Sequence, residues 1–287
     1  MHYGAIEAGG TKMVLAVADE ELNILWRKTL LTRTPEETVP EMLAFFREHP
    51  VDALGIGSFG PLDLNPASRL FGSITKTPKL SWQDYPLLQV FQNELQILCA
   101  IDTDVNAAAL CEAETGAGKG LKNCVYVTVG TGIGGGIYCE GQLVHGLMHP
   151  EVGHMLLRAH PDDPCPDGFC PYHAGCLEGL ASGLAMEKRW GGSARNLPPD
   201  HPAWGMEAYY LGQMCVNLMM TVSPEKIILG GGVMGQSHLL PMIRKEVEKL
   251  LNGYIPCVQD LENMIVFPAC WPDSGLMGAL LLAKNMK

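Results

Sequence analysis

The sequence predicts an α/β protein with two sheets. Three observations carry that prediction. Strand-like and helix-like runs alternate along the chain, the pattern of layered α/β folds. Three glycine-rich loops each follow an apolar strand-like run: Glu7-Ala8-Gly9-Gly10-Thr11-Lys12, Gly130-Thr131-Gly132-Ile133-Gly134-Gly135-Gly136 and Gly230-Gly231-Gly232. The length of 287 residues fits two domains or lobes, since single domains run to roughly 100–200 residues.

Taken in order, residues 4–7, 12–18 and 24–31 read as three strands joined by short turns. Thr34-Pro35-Glu36-Glu37 is a helix start, with Thr as N-cap, Pro at the first helical position and Glu at the third. That helix runs to about Glu48. A strand over 53–58 and a helix over 87–95 follow, then a strand over 97–101 that ends at Asp102-Thr103-Asp104-Val105-Asn106. A helix covers 106–115, and Gly116-Ala117-Gly118-Lys119-Gly120 reads as a hinge or lobe boundary. In the second half, strands over 124–129 and 137–139 flank the second glycine loop. Helical periodicity covers 177–187 and 207–222; a short buried strand, 227–229, precedes the third loop, and 239–251 is helical after it. A last strand over 265–268 and a last helix over 274–285, with Ser274 as its N-cap, complete the chain. The first two loops each follow one strand and precede another, which hints at a duplicated core without a clean sequence repeat.

Apolar residues make up 47% of the chain and charged residues 18%, the composition of a globular protein with a large core. A formal charge of −11 with no Lys/Arg cluster argues against a nucleic-acid partner. No apolar run approaches the roughly 18 residues needed to cross a bilayer. Met1-His2-Tyr3-Gly4 lacks the regions of a signal peptide. A cytoplasmic protein with no membrane partner is expected. Cys99, Cys111, Cys124, Cys139 and Cys215 sit in apolar or helical runs, so the ten cysteines read as reduced thiols rather than a disulfide framework.

Glycine suits a phosphate loop because a side chain would hold the backbone N–H groups away from the phosphate oxygens. Without a lysine-rich pocket, backbone donors, helix N-termini and a divalent cation must supply most of the positive potential. Asp102 and Asp104 follow a strand and precede a helix, a common place for catalytic carboxylates. Capping of that helix by Asp104 or Asn106 accounts for the same pattern.

With these loops and their order in view, the chain resembles the bacterial sugar kinases of the ROK family (repressors, open reading frames, kinases), and among them the fructokinase branch. The matching residues are Glu7–Lys12, Gly57-Ser58-Phe59-Gly60-Pro61-Leu62-Asp63, Thr103–Asn106, Gly130–Gly136, Glu151-Val152-Gly153-His154, the Cys/His cluster through Glu178, and Leu229–Gly232. The resemblance implies an actin/hexokinase/Hsp70-like (ribonuclease H-like) fold of two lobes with a cleft between them. Residues 1–117, with the C-terminal helix at about 273–287, would form the smaller lobe; residues 118–272 would form the larger one. It also implies MgATP and a hexose as substrates, and often a homodimer. Asp104 becomes the general base for the sugar hydroxyl, with Asp102 supporting it. Gly60, Thr103, Asn106, Glu151, His154 and Glu178 join Asp104 as sugar-binding residues. Gly9, Gly10, Thr11 and Lys12 face the phosphates, Thr131 and Gly132 approach the β/γ-phosphates, and Gly230, Gly231 and Gly232 lie at the α-phosphate or adenosine. Glu7, where the wider superfamily carries Asp, holds Mg²⁺ through water.

His154, Cys170, His173 and Cys176 form H-x15-C-x2-H-x2-C, a mixed donor set that tetrahedral zinc accepts. Four protein ligands leave no open position, so the expected role is structural: fixing Glu151, His154 and Glu178 around the sugar. The loop 161–175 is rich in Pro and Gly and has little means of packing itself. Cys165 is a spare ligand candidate, and incidental thiols in a loop are the bland alternative. Three other functions fit parts of the pattern. A sugar-responsive repressor needs a DNA-binding segment before the first loop, which here begins at residue 7. A non-catalytic sensor does not need Asp104. A kinase for glucose, mannose or N-acetylmannosamine differs only in pocket detail; Ser58-Phe59 and the Cys170–Cys176 variant favour fructose.

Overall fold

The computed structural model describes residues 1–256 and 260–286. The chain divides into two compact units. The first comprises Met1–Thr115, Leu143–Pro150 and Cys270–Lys287, the second Gly116–Gln142 and Glu151–Ala269. Leu143–Pro150, which the sequence alone assigns to the second lobe, therefore groups with the first unit.

The first unit is built on a five-stranded sheet in the order β3-β2-β1-β4-β5. Its strands are β1 (Tyr3–Ala8), β2 (Lys12–Ala18), β3 (Ile24–Leu31), β4 (Ala53–Ser58) and β5 (Leu98–Thr103). β1 pairs antiparallel with β2 and parallel with β4, and β4 pairs parallel with β5. β4 is buried throughout while β3, at the edge, is mostly exposed. Helix α1 (Pro35–Glu48) starts as its sequence dictates: the Glu37 carboxylate reaches back to accept from the Thr34 N–H at 3.4 Å and its hydroxyl at 3.2 Å. α2 (Leu87–Leu95) closes one side of the main core, in which Ile6, Leu15, Leu54, Trp82 and Phe91 are buried. α3 (Asp104–Glu114) lies on the other side of the sheet. It begins two residues earlier than the sequence suggests, because Thr103 is the N-cap and its hydroxyl accepts the Asn106 N–H at 3.1 Å.

The second unit has a sheet in the order β10-β9-β6-β7-β8. It contains β6 (Cys124–Val129), β7 (Ile133–Cys139), β8 (Gln142–Leu143), β9 (Lys226–Gly230) and β10 (Ile265–Val266). β6 runs antiparallel to β7 and parallel to β9. The helical run expected over 177–187 is broken into α4 (Leu177–Ala181) and α5 (Gly183–Trp190). Ser182 is extended at the break, and its hydroxyl caps α5 by accepting the Ala185 N–H at 3.1 Å. A distant contact makes the break: the Gly183 N–H donates to the Gly130 carbonyl at 2.7 Å. α6 (Ala203–Thr221) starts four residues ahead of the expected position, since Trp204 is fully buried and the Ala203 N–H is taken by His201 Nδ1 at 3.1 Å. α7 (Leu239–Leu251) and the short α8 (Leu261–Met264) complete this unit. α9 (Ser274–Lys284) belongs to the first unit; Asp273 rather than Ser274 stands at its N-cap position, with its carboxylate on Arg27 at 2.7 Å. Its packing there needs glycine: a Cβ on Gly55 would fall 1.8 Å from the Ala279 carbonyl oxygen, and one on Gly278 1.8 Å from that of Ala107. Among the described residues no helix is long and apolar enough to cross a membrane.

Candidate active site

Register places the predicted residues of the first unit side by side. Ala8 pairs with Ser58 and Ser58 with Thr103, so β1, β4 and β5 end level. The first glycine turn, the Phe59-Gly60 loop and Asp104 therefore leave the sheet together at the carboxyl ends of three parallel strands, the edge where open α/β sheets hold ligands. One row back, Glu7 and Asp102 stand on the same face on either side of Gly57. A Cβ on Gly57 would meet Ala107 Cβ at 3.0 Å and Asp104 Cα at 3.6 Å, so its absence lets the first turn of α3 settle on the sheet.

The first turn is closed by the Gly9 N–H donating to the Lys12 carbonyl at 2.9 Å, and a Cβ on Gly9 would sit 2.8 Å from that oxygen. The Thr32 hydroxyl donates to the Gly9 carbonyl at 2.7 Å, tying the turn to β3. Gly10, Thr11 and Lys12 are exposed at its tip. Burial, opposed by the charge of Lys12, holds the Glu7 carboxyl above its usual range. Its Oε1 lies 2.7 Å from where a Cβ would project from Gly275 in the first turn of α9. A desolvated carboxylate at the base of a glycine turn has the chemistry to receive a hydrated cation.

Asp104 occupies the first position of α3 and accepts the Val105 N–H at 2.9 Å. It is not the cap; Thr103 is. Thr103 and Asn106 are 3% and 0% exposed, with their side chains turned to α3 and to Asp102. Asp102 is 4% exposed and fully engaged. Oδ1 accepts from the Thr103 N–H at 2.8 Å and Asn106 Nδ2 at 2.7 Å, and Oδ2 faces His145 Nε2 at 2.8 Å. The hydrogen bond that the His145 ring makes to the Asp102 carboxylate, helped by that group's charge and a second bond to the Leu143 backbone, raises the His145 pKa against the cost of burial. Asn106 Nδ2 lies 3.4 Å from the same Nε2, but the nearer Asp102 carboxylate favours the protonated ring.

Sequence reasoning missed His145 and His149. Both lie in Leu143–Pro150, a loop with no periodicity to mark its destination. His149 is 4% exposed; its Nε2 accepts the Leu62 N–H at 3.2 Å and lies 3.6 Å from where a Cβ would project from Gly60. Burial lowers its pKa, in keeping with a neutral ring that accepts. The signal available in the sequence was the pair of histidines in His145-Gly146-Leu147-Met148-His149 just ahead of Glu151.

In the second unit, Thr128 pairs with Gly230, so the second and third glycine loops leave the carboxyl ends of two parallel strands next to each other. The Gly130 N–H donates to the Gly132 carbonyl at 2.9 Å, and Thr131 is exposed at the tip. Gly231 has φ +92°, and a Cβ there would lie 2.4 Å from the Val129 carbonyl oxygen. Arg195 reaches the third loop, its Nη2 3.6 Å from the Cβ position of Gly232. Glu178, on α4, is bound to the second loop: Oε2 accepts the Ile133 N–H at 2.9 Å. Burial first, then the charge of Glu178, raises the Glu151 pKa, so these two predicted sugar-binding carboxylates are neighbours.

His154, Cys170, His173 and Cys176 converge, with one donor atom from each all within 4.8 Å of one another. His154 Nδ1 lies 3.9 Å from Cys170 Sγ and 3.8 Å from Cys176 Sγ, and His173 Nδ1 3.7 Å from Cys170 Sγ. Tetrahedral zinc with Zn–S and Zn–N bonds of about 2.3 and 2.0–2.1 Å sets S···N separations near about 3.6 Å, so the donors fit the ion. Cys165 stands outside this group, its N–H donating to Asp163 at 2.8 Å. The loop has more support than its composition suggests. Asp163 forms a buried ion pair with Arg189 at 2.9 Å and accepts from the Tyr210 hydroxyl at 2.5 Å. Every described cysteine is a free thiol.

Two units, each with a glycine turn at the carboxyl edge of a mixed sheet, define the class: an α/β protein of the actin-like ATPase fold. Within it, this chain belongs to the ROK family, whose profile matches residues 3–286. It is 44% identical over 284 residues to a fructokinase of Pediococcus pentosaceus, covering 99% of this chain and 98% of that one. It is 43% identical over 289 residues to a fructokinase of Zymomonas mobilis, covering 98% and 96%. Among solved structures, a ROK family glucokinase from Streptomyces griseus, in complex with glucose and AMPPNP, matches with a TM-score of 0.78 at 27% identity over 99% of each chain.

Proposed function

We propose that this protein is an ATP-dependent fructokinase that moves the γ-phosphoryl group of MgATP to D-fructose, giving fructose 6-phosphate and ADP. The observation that carries the reading is the level ending of β1, β4 and β5. It sets a glycine turn, Gly60 and the Asp104 carboxylate at one edge. Full-length likeness to proteins named fructokinase supports the choice of sugar.

In this reading the backbone of the glycine turns receives the phosphates, and Glu7 receives the hydrated Mg²⁺ that ATP brings. Asp104 takes the proton of the primary hydroxyl as that oxygen attacks the γ-phosphorus and the bond to the ADP oxygen breaks. Asp102, pinned by Asn106 and His145, keeps the start of α3 in place. Glu151, Glu178 and His154 bind sugar hydroxyls. His154, Cys170, His173 and Cys176 would hold a zinc ion whose role would be to cross-link the loop; with Nδ1 turned to the thiols, His154 would keep Nε2 for the sugar. We assign the enzyme to the cytoplasm as a homodimer.

The test is ADP release with MgATP across fructose, mannose, glucose, N-acetylmannosamine and no sugar, for the wild type and Asp104→Asn. The expected result is strongest activity on fructose, with the variant binding sugar but turning over at least about 100-fold more slowly. Stronger activity on another sugar overturns the substrate. Near-normal turnover of Asp104→Asn removes that residue from its role, and no sugar-dependent release overturns the kinase reading.

A further inference from the structure

We propose that Lys79 contacts the terminal phosphate of the nucleotide at the Gly9–Lys12 turn, as a cation supplied from outside the glycine loop. The proposal rests on the kinase reading and adds a substrate-contacting residue to it.

Its basis is a contact that no spacing in the sequence announces. Lys79 Cε lies 3.5 Å from where a Cβ would project from Gly10, some seventy residues away in the chain. The backbone of Lys79 is held rigidly. Its N–H donates to the Thr77 hydroxyl at 3.3 Å, and its carbonyl accepts the Trp82 N–H at 2.8 Å. Thr77 is 4% exposed and Trp82 1%, and the Trp82 indole N–H donates to the Arg33 carbonyl at 2.7 Å. From that anchored turn a half-buried side chain reaches the tip of the glycine turn. No ion pair or hydrogen bond to its ammonium is found among the described residues. The other lysine at the turn, Lys12, is exposed, and its charge opposes the burial of Glu7. In a chain of formal charge −11, an unclaimed ammonium beside exposed backbone N–H groups is suited to an anion with more than one charge. The terminal phosphate is the part of MgATP whose oxygens carry charge through the transfer, and a fixed cation there stabilises the transition state more than it stabilises bound ADP.

The test uses the full chain with Lys79→Met and Lys79→Arg. Steady-state ADP release gives kcat and the fructose KM; calorimetry gives Kd for ADP and for a non-hydrolysable ATP analogue, each with Mg²⁺. The expected result for Lys79→Met is a fall of about 100-fold in kcat, a fructose KM within twofold of wild type, and weaker binding of the analogue with ADP binding unchanged. Lys79→Arg recovers most of both. Turnover of Lys79→Met within threefold of wild type, or equal weakening of ADP and analogue, overturns the proposal; the second result marks a merely structural lysine. If the wild type releases no ADP with any sugar, the kinase reading fails by itself. The analogue-against-ADP difference then still decides Lys79.

Discussion

Replacing Gly132 by alanine tests whether the second glycine loop and Glu178 act as one piece. The new Cβ would lie 2.5 Å from Glu178 Oε2 and 3.3 Å from its Cδ. Ordinary contact requires the carboxylate to retreat by about 0.9 Å. That retreat stretches its 2.9 Å bond from the Ile133 N–H beyond hydrogen-bonding distance. The obstacle is the far end of a flexible side chain, so the cost is the lost bond and not a frozen clash. A hydrogen bond to a charged group is worth about 1.5–3 kcal/mol, and a half-buried pair sits near the lower end. If Glu178 binds a sugar hydroxyl from this seat, about 1.5 kcal/mol or more disappears from the transition state, a fall of about tenfold or greater in kcat/KM for fructose. The thermal midpoint should move by only a few degrees. Steady-state kinetics at saturating MgATP, with a melting curve on the same preparation, reads both numbers. A kcat/KM within twofold of wild type would show that the position of this carboxylate is irrelevant to the sugar, and would refute the reasoning.

Gly231→Ala should behave in the opposite way. Its φ of +92° and the Val129 backbone 2.4–2.6 Å from the new Cβ leave nothing flexible to move. A cost of about 3 kcal/mol or more lowers the melting midpoint by about 6–12 °C, and an unchanged midpoint would contradict the local geometry. Zinc should be present at about one ion per chain by elemental analysis of chelator-free protein; less than about one-third of an ion would falsify the metal assignment. Cys176→Ser should lose the ion and raise the fructose KM together. The Asp102–His145 pair predicts a pH signature. The folded pKa of His145 is raised, so its stabilising contribution is complete below the unfolded value of about 6.5. It is lost as pH rises through the folded value. His149, lowered by burial, works in the other direction, losing its contribution as pH falls through about 6.5. The difference in melting midpoint between wild type and His145→Gln isolates the first effect: it should shrink from pH 6 towards pH 9, and a difference that stays constant with pH would remove the imidazolium.

Much of the fold was legible because its signals are local. The near-continuous apolar runs of β1 and β2, the Thr34–Glu37 capping box and the apolar runs before each glycine loop all act within a few residues. What was illegible depends on contacts between distant segments. The apolar periodicity of 177–187 runs straight through Ser182, and only the Gly183–Gly130 hydrogen bond shows why the helix breaks there. Thr103 caps α3 in place of Asp104 or Asn106, which puts Asp104 at the first helical position and turns Asn106 inward; all three are good caps, and the sequence offers no means of choosing. His145, His149 and Lys79 reach the candidate site from loops whose composition resembles any other surface connection.

The duplicated core hinted at by the loops is present as topology. In each unit a glycine loop joins two antiparallel strands, and the first of them has a parallel neighbour whose end stands level with it. The two loops then consume their own donors in different ways. In the first, the Gly9 N–H closes the turn on the Lys12 carbonyl. In the second, the Gly130 N–H closes on the Gly132 carbonyl and the Ile133 N–H is taken by Glu178. Among the described residues that leaves two successive N–H groups at each tip, Gly10 and Thr11 in one loop and Thr131 and Gly132 in the other. Successive backbone donors at an exposed tip suit the oxygens of a phosphate. Glycine content alone spreads the candidate donors over every residue of these two loops; their internal hydrogen bonds narrow them to these four. The same subtraction explains why the second loop needs Glu178. A carboxylate that occupies the Ile133 N–H fixes which donors of the loop remain open and, from α4, ties that choice to the Cys/His loop through Cys176, the N-cap of the same helix.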